Sequence, residues 1–324
     1  MKAGRQTTLR KRMAIAGVGV HSGLPVTLTL NPADAHSGVV FVRTGIDGQP
    51  ERELRATACS VTATELATVL GDENGVFVST VEHVMAALCG LGVDNCIVEI
   101  DGPEAPILDG SAQPYVAAID KAGIVSLTAP RRYFKVLKTV RVHKGESYGE
   151  FRPCERGFHV DVEIDFDHPL IGCQSLAIDV EPAVFRREIA RARTFGFMRD
   201  VSKLWGSGYA LGASLDNTLV VSENRILNPG GLRFPDEFVR HKVLDAIGDL
   251  ALAGAPIIGA YRSVRGGHRL NHAVLAALLG DPSAWTVVEE RAPARPERAP
   301  ARQHGGGAVE PALGLALRAV PSTS

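Results

Sequence analysis

Apolar residues follow two different periods along this chain, and each period predicts one type of element. Short alternating or β-branched runs predict strands at residues 13–20, 26–30, 39–43, 96–100, 136–142, 159–166, 218–221 and 256–261. Longer runs with apolar residues three and four positions apart predict helices at residues 80–88, 114–122, 182–191, 236–252 and 272–279. Because strands do not alternate strictly with single helices, the pattern favours an α+β fold over a doubly wound parallel sheet.

The predicted elements fall into two halves that echo each other. In each half a helix, at 80–88 or at 236–252, ends near a glycine and is followed at once by a strand. A helix end and an Ala-Pro-Arg-Arg sequence place a boundary near residues 123–132. We therefore expect an N-terminal domain at residues 1–127 and a C-terminal domain at residues 133–288.

The last part of the chain, residues 290–324, differs in composition from the rest. It is biased toward Ala, Pro, Arg and Gly, and such a segment cannot bury enough apolar surface to order itself. We expect a disordered tail. A short apolar segment within it, residues 312–320, is a candidate docking segment or a degradation signal recognised by a protease.

The composition is that of an ordinary globular protein and argues against several classes. The chain has 324 residues, 45% of them hydrophobic, and its formal net charge of −1 argues against a dedicated nucleic-acid-binding protein. Every apolar run is shorter than the roughly 18 to 20 residues that span a bilayer, so we expect no stable membrane insertion. The five cysteines are odd in number and lack Cys-x-x-Cys spacing, which predicts reduced, buried thiols in a cytoplasmic protein.

The helix predicted at 236–252 carries a dense group of polar side chains. At about 100° per residue, a quarter turn holds His241, Lys242, Asp245 and Asp249, and apolar residues fill the opposite face. His241 and Asp245 are four residues apart, a spacing that suits two ligands of one zinc ion. An exposed face with i,i+4 ion pairs explains the same spacing, and the spacing alone favours this alternative.

The helix predicted at 80–88 offers two interpretations of its first turn. In one, His83 is a third metal ligand and Glu82 is a base beside the metal. In the other, Ser79 and Glu82 form a capping box and His83 is an ordinary packed or surface histidine. Ala87 stands where a zinc protease of the His-Glu-x-x-His type has its second histidine, so that class is disfavoured.

Two connecting segments carry further candidates. Gly266 and Gly267 precede His268 and allow a tight loop, which makes His268 either a general acid oriented by Asp249 or a surface turn histidine. Thr194 follows a basic helix and is a candidate donor to an oxyanion. On local sequence alone, the start of a strand with core aromatic residues is the favoured interpretation of the Thr194 segment.

Taken together, these segments resemble the UDP-3-O-acyl-N-acetylglucosamine deacetylase family, the zinc hydrolases of lipid A biosynthesis. The motifs run in the family's order from about residue 5 to 285, and several are long and nearly unbroken. They are GVHSG at 19–23, STVEH at 79–83, GVDN at 92–95, DGSA at 109–112, RARTFGFMRD at 191–200, GLRF at 231–234, FVRHKVLDAIGDL at 238–250 and GH at 267–268.

The resemblance implies a fold and a role for individual residues. The fold is two similar α+β domains, each a β-sheet layered against helices, with the active site between them. The implied Zn²⁺ ligands are His83, His241 and Asp245. The implied catalytic residues are Glu82 as general base, His268 as general acid, Thr194 at the oxyanion, Lys242 as a supporting charge and Asp249 as the partner of His268. The implied substrate-binding residues are Leu66, Phe195 and Asp200.

The implied reaction is hydrolysis of the N-acetyl group of UDP-3-O-(3-hydroxyacyl)-N-acetylglucosamine. It gives acetate and a free amine, and it is the committed step of lipid A biosynthesis. Zinc with three protein ligands keeps a position open for water and polarises a carbonyl, while a carboxylate and an imidazole exchange the protons. The residue types at the implied positions suit this chemistry.

The chain departs from the family pattern at two places outside the catalytic positions. Ser147 occupies a turn where a basic residue is common, so one phosphate contact is missing or moves to Lys144. Glu65 stands at the acyl entrance where an apolar residue is common. Two alternatives stay open: a zinc amidohydrolase of the same fold with another substrate, and a silent homologue that binds nucleotide-sugars.

Overall fold

Strands and helices are mixed along the first half of the chain. The computed structural model describes residues 4–45, 50–72 and 75–289. The strands of the first half are β1 (Arg5–Leu9), β2 (Met13–Val18), β3 (Pro25–Pro32), β4 (Val39–Arg43), β5 (Arg52–Arg55), β6 (Val61–Ala63), β7 (Val69–Gly71), β8 (Phe77–Val78), β9 (Cys96–Ile100) and β10 (Ile124–Pro130). Its helices are α1 (Glu82–Gly90) and α2 (Gln113–Ala122), with a 3₁₀ turn at Ala58–Ser60.

The second half has the same mixture. Its strands are β11 (Arg132–Val136), β12 (Val140–Lys144), β13 (Ser147–Arg152), β14 (Phe158–Phe166), β15 (Gly172–Asp179), β16 (Phe195–Phe197), β17 (Leu219–Val221), β18 (Ile257–Val264) and β19 (Trp285–Glu289). Its helices are α3 (Pro182–Val184), which continues as a π-helical turn (Phe185–Ile189), α4 (Val201–Gly206), α5 (Glu237–Leu250) and α6 (His268–Gly280). Single 3₁₀ turns cover Met198–Asp200 and Ala251–Ala253. The predicted α+β class is confirmed.

Each half is built on a main sheet whose central strand follows a long helix. In the first half the order is β2-β3-β9-β4-β5, and β9 runs antiparallel to β3 and parallel to β4, so that Val98 lies opposite both Leu30 and Phe41. In the second half β18 pairs with β11, β13 and β14 in a seven-stranded sheet. The echo predicted from the sequence is therefore a repeated placement of helix, glycine and central strand.

The two halves meet where α1 packs against α5. A Cβ atom at Gly248 would lie 2.0 Å from the carbonyl oxygen of Glu82, so the close approach of the two helices requires glycine at this position. Helix α5 also packs on β14 and β15, and α6 packs on β12 and β13. Polar side chains carried by α1 and α5 are consequently placed in the interior.

Three elements differ from the sequence prediction. The single strand predicted at 136–142 is wrong, because the chain breaks at Leu137 and changes pairing partner from β18 and β19 to β13. The helix predicted at 272–279 begins earlier, so His268 is its first residue and does not lie in a loop. The helix predicted at 182–191 is a short α-helical turn followed by a π-helical turn.

The described chain bears on three further expectations. Strand β10 pairs with β1, and β11 pairs with β18 and β19, which supports our proposal of domains at 1–127 and 133–288. All five cysteines are free, but Cys59 and Cys173 are exposed, so the prediction of buried thiols is wrong for these two. Among the described residues no helix combines the length and apolarity that a membrane crossing demands. The predicted tail, 290–324, lies outside the described residues.

Candidate active site

Helices α1 and α5 bring two imidazoles and a carboxylate together in the interior. The Nε2 atoms of His83 and His241 lie 3.7 and 3.3 Å from Oδ1 of Asp245. The two imidazole rings meet edge to face with centroids 5.0 Å apart. One donor atom from each residue lies within 4.8 Å of the others, and all three side chains are buried. The exposed-face alternative for α5 is therefore wrong.

The donor atoms of these three side chains have the protonation states that a metal needs. Nδ1 of His241 lies 3.1 Å from the carbonyl oxygen of Ala192, which only accepts, so Nδ1 carries the proton and Nε2 keeps its lone pair. Burial lowers the pKa of His83 to about 3 and also lowers the pKa of His241. Burial raises the pKa of Asp245, but His241 and Lys242 outweigh it and hold that pKa below its usual value. Two neutral imidazoles and one carboxylate are a donor set that fits zinc.

Nδ1 of His83 faces no hydrogen-bond partner among the described residues, although it is buried. A buried polar atom without a partner is costly in an ordinary core. Nε2 of His83, and not Nδ1, faces Asp245, so the fit to a metal rests on the donor set and not on this unpaired atom.

Lys242 lies beside the same carboxylate. Its Nζ atom donates to Oδ2 of Asp245 at 2.9 Å and lies 5.6 Å from the centroid of the Phe195 ring. Burial lowers the pKa of Lys242, but Asp245 raises it by more, so the side chain remains an ammonium. The site therefore holds a fixed positive charge next to the three candidate ligands.

A second group of titratable side chains adjoins the first. Nδ1 of His268 lies 2.9 Å from Oδ2 of Asp249, and its Nε2 lies 3.9 Å from Oε1 of Glu82. Burial raises the pKa of Glu82 to about 7, and Asp249 and Asp245 contribute in the same direction. Burial lowers the pKa of His268, but Asp249 and Glu82 outweigh it and raise that pKa to about 10. A carboxyl group whose pKa is near 7 thus lies close to a protonated imidazole, as acid–base catalysis requires.

Glu82 is positioned by contacts other than the predicted capping box. No side chain caps the N-terminus of α1, and Ser79 instead donates to the carbonyl oxygen of Pro103. The carboxylate of Glu82 accepts a hydrogen bond from the backbone N–H of Thr68 at 3.1 Å. The capping-box interpretation is therefore wrong, and the carboxylate faces the site.

Thr194 reaches the site on a segment held by backbone contacts. Its N–H donates to the carbonyl oxygen of Gly110 at 2.8 Å, and its own carbonyl accepts from Leu219. Gly110 has a φ of 82° and would clash with the backbone of Asn217 if it carried a side chain.

A buried ion pair between Arg193 and Glu237 of α5 holds the other side of the Thr194 segment. Thr194 borders the same cleft as Glu82 and His83.

Two open clefts of different character adjoin these groups. The apolar cleft has a volume of about 520 Å³, and its walls include all three predicted substrate-binding residues: Leu66, Phe195 and Asp200. The cationic cleft has a volume of about 680 Å³ and runs past His268 toward Lys144, Ser147, Arg265 and Arg269. The predicted catalytic, metal-ligand and substrate residues therefore come together in one region.

Sequence reasoning assigned no role to several polar residues of this region. His21 lies in the apolar cleft against the ring of Tyr209, and its GVHSG motif was the available signal. Thr68 and Asn271 are buried beside the second group of titratable side chains. No local pattern marks these two, because their partners are far away in the sequence.

Comparison with known proteins agrees with the resemblance carried by the motifs. The family model described as UDP-3-O-acyl N-acetylglycosamine deacetylase matches residues 6–280. Proteins named UDP-3-O-acyl-N-acetylglucosamine deacetylase from Brucella ovis, Brucella canis and Brucella suis are each 52% identical to this chain over 286 residues, which cover 88% of the chain and 98% of each relative. The chain therefore belongs to the UDP-3-O-acyl-N-acetylglucosamine deacetylase family.

Proposed function

We propose that this protein hydrolyses the N-acetyl group of UDP-3-O-(3-hydroxyacyl)-N-acetylglucosamine, the committed step of lipid A biosynthesis. The products are acetate and UDP-3-O-acyl-glucosamine. One observation carries the proposal: a buried set of metal donors lies against a carboxyl whose pKa is near 7 and an imidazole held by its own carboxylate. Family membership supplies the substrate class.

We assign the metal to His83, His241 and Asp245, and the ion to Zn²⁺. When bound there, zinc supplies Lewis-acid chemistry, which polarises a carbonyl and makes water more acidic. The two imidazoles offer neutral nitrogen donors, and the carboxylate supplies one negative charge. Three protein ligands are the number that leaves a position open for reaction.

Glu82 and His268 carry the protons in this proposal. Glu82 accepts a proton from the attacking water, and burial raises its pKa to about 7, which strengthens it as a base at neutral pH. His268 is protonated because Asp249 accepts a hydrogen bond from its Nδ1, so its Nε2 can donate to the departing amine. The base makes water a better nucleophile, and the acid is needed because the amide nitrogen is a poor leaving group until it is protonated.

Two further side chains stabilise negative charge as the carbonyl is attacked. We assign the hydroxyl of Thr194 as a donor to the developing oxyanion, a type of contact worth roughly 3 to 4 kcal/mol. The ammonium of Lys242 adds a positive charge in the same buried region, where electrostatic interactions are strong. Both groups are fixed before the substrate arrives, so little reorganisation is required during the reaction.

The two clefts suit the two ends of the substrate. We place the fatty chain in the apolar cleft, against Leu66 and Phe195, with Asp200 at its rim. We place the UDP portion in the cationic cleft beyond His268. Arg265 there already pairs with Glu146 and Asp165, so Lys144 and Arg269 are the cations best placed to meet the phosphates.

The decisive experiment measures acetate release from UDP-3-O-acyl-N-acetylglucosamine with the purified full-length chain. We expect release to stop after treatment with a chelator and to return when zinc is restored. Competing N-acetylated sugars in the same assay distinguish this substrate from another amide. Binding of the substrate without acetate release, with zinc present, would instead favour a silent nucleotide-sugar-binding homologue.

The remaining expectations concern the setting of the enzyme. We propose that it acts in the cytoplasm, where UDP-sugars are made, without stable insertion into a membrane and without a nucleic-acid partner. Protease recognition of the C-terminal tail concerns residues 290–324, which lie outside the described part of the chain.

A further inference from the structure

Asp249 is the centre of a buried hydrogen-bond network that extends beyond the proposed catalytic residues. Its Oδ2 atom lies 2.9 Å from Nδ1 of His268 and accepts a second hydrogen bond from Nδ2 of Asn271 at 2.8 Å. Its Oδ1 atom accepts a hydrogen bond from the hydroxyl of Thr68 at 2.6 Å. Both oxygens of this carboxylate are therefore engaged by donors in the interior.

Thr68 contacts the proposed base and the carboxylate that holds the proposed acid. Its hydroxyl donates to Asp249, the partner of His268, while its backbone N–H donates to Oε2 of Glu82 at 3.1 Å. Thr68 comes directly before β7 in the first half, whereas Asp249 lies on α5 in the second. Only 2% of Thr68 is exposed, so water does not replace these contacts easily.

Asn271 has a fixed orientation because of a residue behind it. The hydroxyl of Tyr261 donates to Oδ1 of Asn271 at 2.7 Å, which leaves the amide nitrogen to donate to Asp249. Tyr261 is fully buried on β18, and Asn271 lies on α6, one turn after His268. The network thus ties the sheet and helix of the second half to the same carboxylate.

We propose that Thr68 and Asn271 are positioning residues for the hydrolysis: together they fix the rotation of the Asp249 carboxylate and thereby aim Nε2 of His268 at the reacting amide. A carboxylate bound only to an imidazole can rotate about its terminal torsion, which is broad and soft. Donors on both of its oxygens remove that freedom. This inference rests on the proposed function and extends it to residues that touch neither substrate nor metal.

The contacts of Thr68 also fix the distance between the proposed base, Glu82, and the proposed acid, His268. Because one residue holds Glu82 through its backbone and Asp249 through its side chain, the two carboxylates keep a constant separation. Nε2 of His268 lies 3.9 Å from Oε1 of Glu82 in this arrangement. An error of about 1 Å in such a geometry can cost about 100-fold in rate, so the loss should fall on kcat and not on KM.

The test compares Thr68→Val with Thr68→Ser in the zinc-loaded, full-length enzyme. Valine keeps the volume and the backbone N–H but removes the hydroxyl, so we expect kcat to fall about 10- to 100-fold while KM changes by less than about twofold. Serine restores a hydroxyl and should recover kcat to within about threefold of the unaltered enzyme. Zinc content and melting temperature are measured for each variant. Asn271→Ala probes the same carboxylate from the other side, so the result does not depend on one variant folding.

A matched control and a double-mutant cycle separate positioning from general destabilisation. Thr8 on β1 is also buried, and its hydroxyl accepts from the N–H of Ala33, directly after β3, so Thr8→Val should leave kcat unchanged. If Thr68 acts through Asp249, Thr68→Val should add almost no further loss of kcat in an Asp249→Asn background. Fully additive losses would overturn the proposal.

The outcomes distinguish this inference from the function on which it rests. If the unaltered enzyme with zinc releases no acetate, the proposed function fails, and the positioning roles fail with it. If the unaltered enzyme is active and both Thr68→Val and Asn271→Ala keep its kcat, only the positioning roles are overturned. A loss of kcat that Thr68→Ser does not recover would also contradict the role of the hydroxyl.

Discussion

The floor and the wall of the active site are built in opposite ways. The floor, defined here as Glu82, His83, His241 and Asp245, is carried by two packed helices, and none of these residues is more than 4% exposed. The wall, defined as Leu66 and Tyr209, lies on connecting segments that line the apolar cleft, and these two residues are 46% and 39% exposed. Because packing fixes the floor and not the wall, changes in the floor should abolish the reaction, whereas changes in the wall should alter only the choice of substrate.

The largest effect is expected from removing a metal ligand in the floor. His241→Ala leaves one imidazole and one carboxylate, too few donors for tight binding of zinc. We expect zinc content to fall well below one ion per chain and kcat to fall by about 1000-fold or more, because the Lewis acid is lost. Mass spectrometry under native conditions and acetate release measure the two quantities.

A control for this variant uses a histidine outside the floor. The side chain of His159 is 40% exposed and pairs with Asp179 on the neighbouring strand. His159→Ala should keep both zinc and activity. Full zinc occupancy in His241→Ala would contradict the assigned ligand set.

The second effect is expected from removing the proposed base while keeping the metal. Glu82→Ala should lower kcat by at least about 100-fold, near the upper range of general-base effects, and should leave zinc bound. Glu82→Gln is a sharper variant, because it keeps the volume and an oxygen that accepts from Thr68. Turnover that stays near normal in both variants would rule out Glu82 as the base.

The difference between floor and wall also explains what the sequence could predict. The spacing of His241 and Asp245 on one helix was sufficient to place both side chains at one spot, because an α-helix fixes that geometry locally. The contact of this pair with His83 depends on the packing of α1 on α5, and only the family motifs indicated it. Thr68 was missed because its partner Asp249 lies 181 positions further along the chain.

The same limit applies to the fold. The alternating or β-branched runs predicted β9 at its observed bounds and β18 as far as Tyr261, three residues before its end, since a period-two pattern reports a sheet face directly. The break at Leu137 was missed because both strands around it keep the same apolar pattern while the pairing partner changes. A choice of partner strand is a long-range property that local periodicity does not contain.

The third effect concerns the pH dependence of the reaction, which is set by Glu82 in the floor and by His268 beside it. Glu82 acts when ionised, so kcat/KM should rise as the pH increases through its pKa, which is about 7 without metal. His268 acts when protonated, so kcat/KM should fall as the pH increases through its pKa, about 10 without metal. Plotted against pH, kcat/KM should therefore give a bell-shaped curve with an acidic and a basic limb. The positive charge of bound zinc favours the deprotonated form of both groups, so the apparent pKa of each limb should lie below these values.

The variant His268→Ala identifies the basic limb of this profile. With the imidazole removed, kcat/KM should be low and should no longer decline at high pH, whereas the acidic limb from Glu82 should remain. The measurement is kcat/KM for acetate release across the pH range in which the zinc enzyme stays folded. If the basic limb persists in His268→Ala, another group is the acid.

The smallest effect is expected in the wall, at Leu66. This residue has a φ of 65°, a conformation that asparagine tolerates better than most residues, so Leu66→Asn removes the apolar side chain with little backbone strain. Because the side chain is already 46% exposed, its contact with a fatty chain is worth only about 1 kcal/mol, and KM for a long-acyl substrate should rise about fivefold at unchanged kcat. Leu137→Asn is the matched control, since Leu137 is equally exposed and lies outside both clefts. If KM changes equally for substrates with short and long acyl chains, the acyl chain binds elsewhere and Leu66 does not contact it.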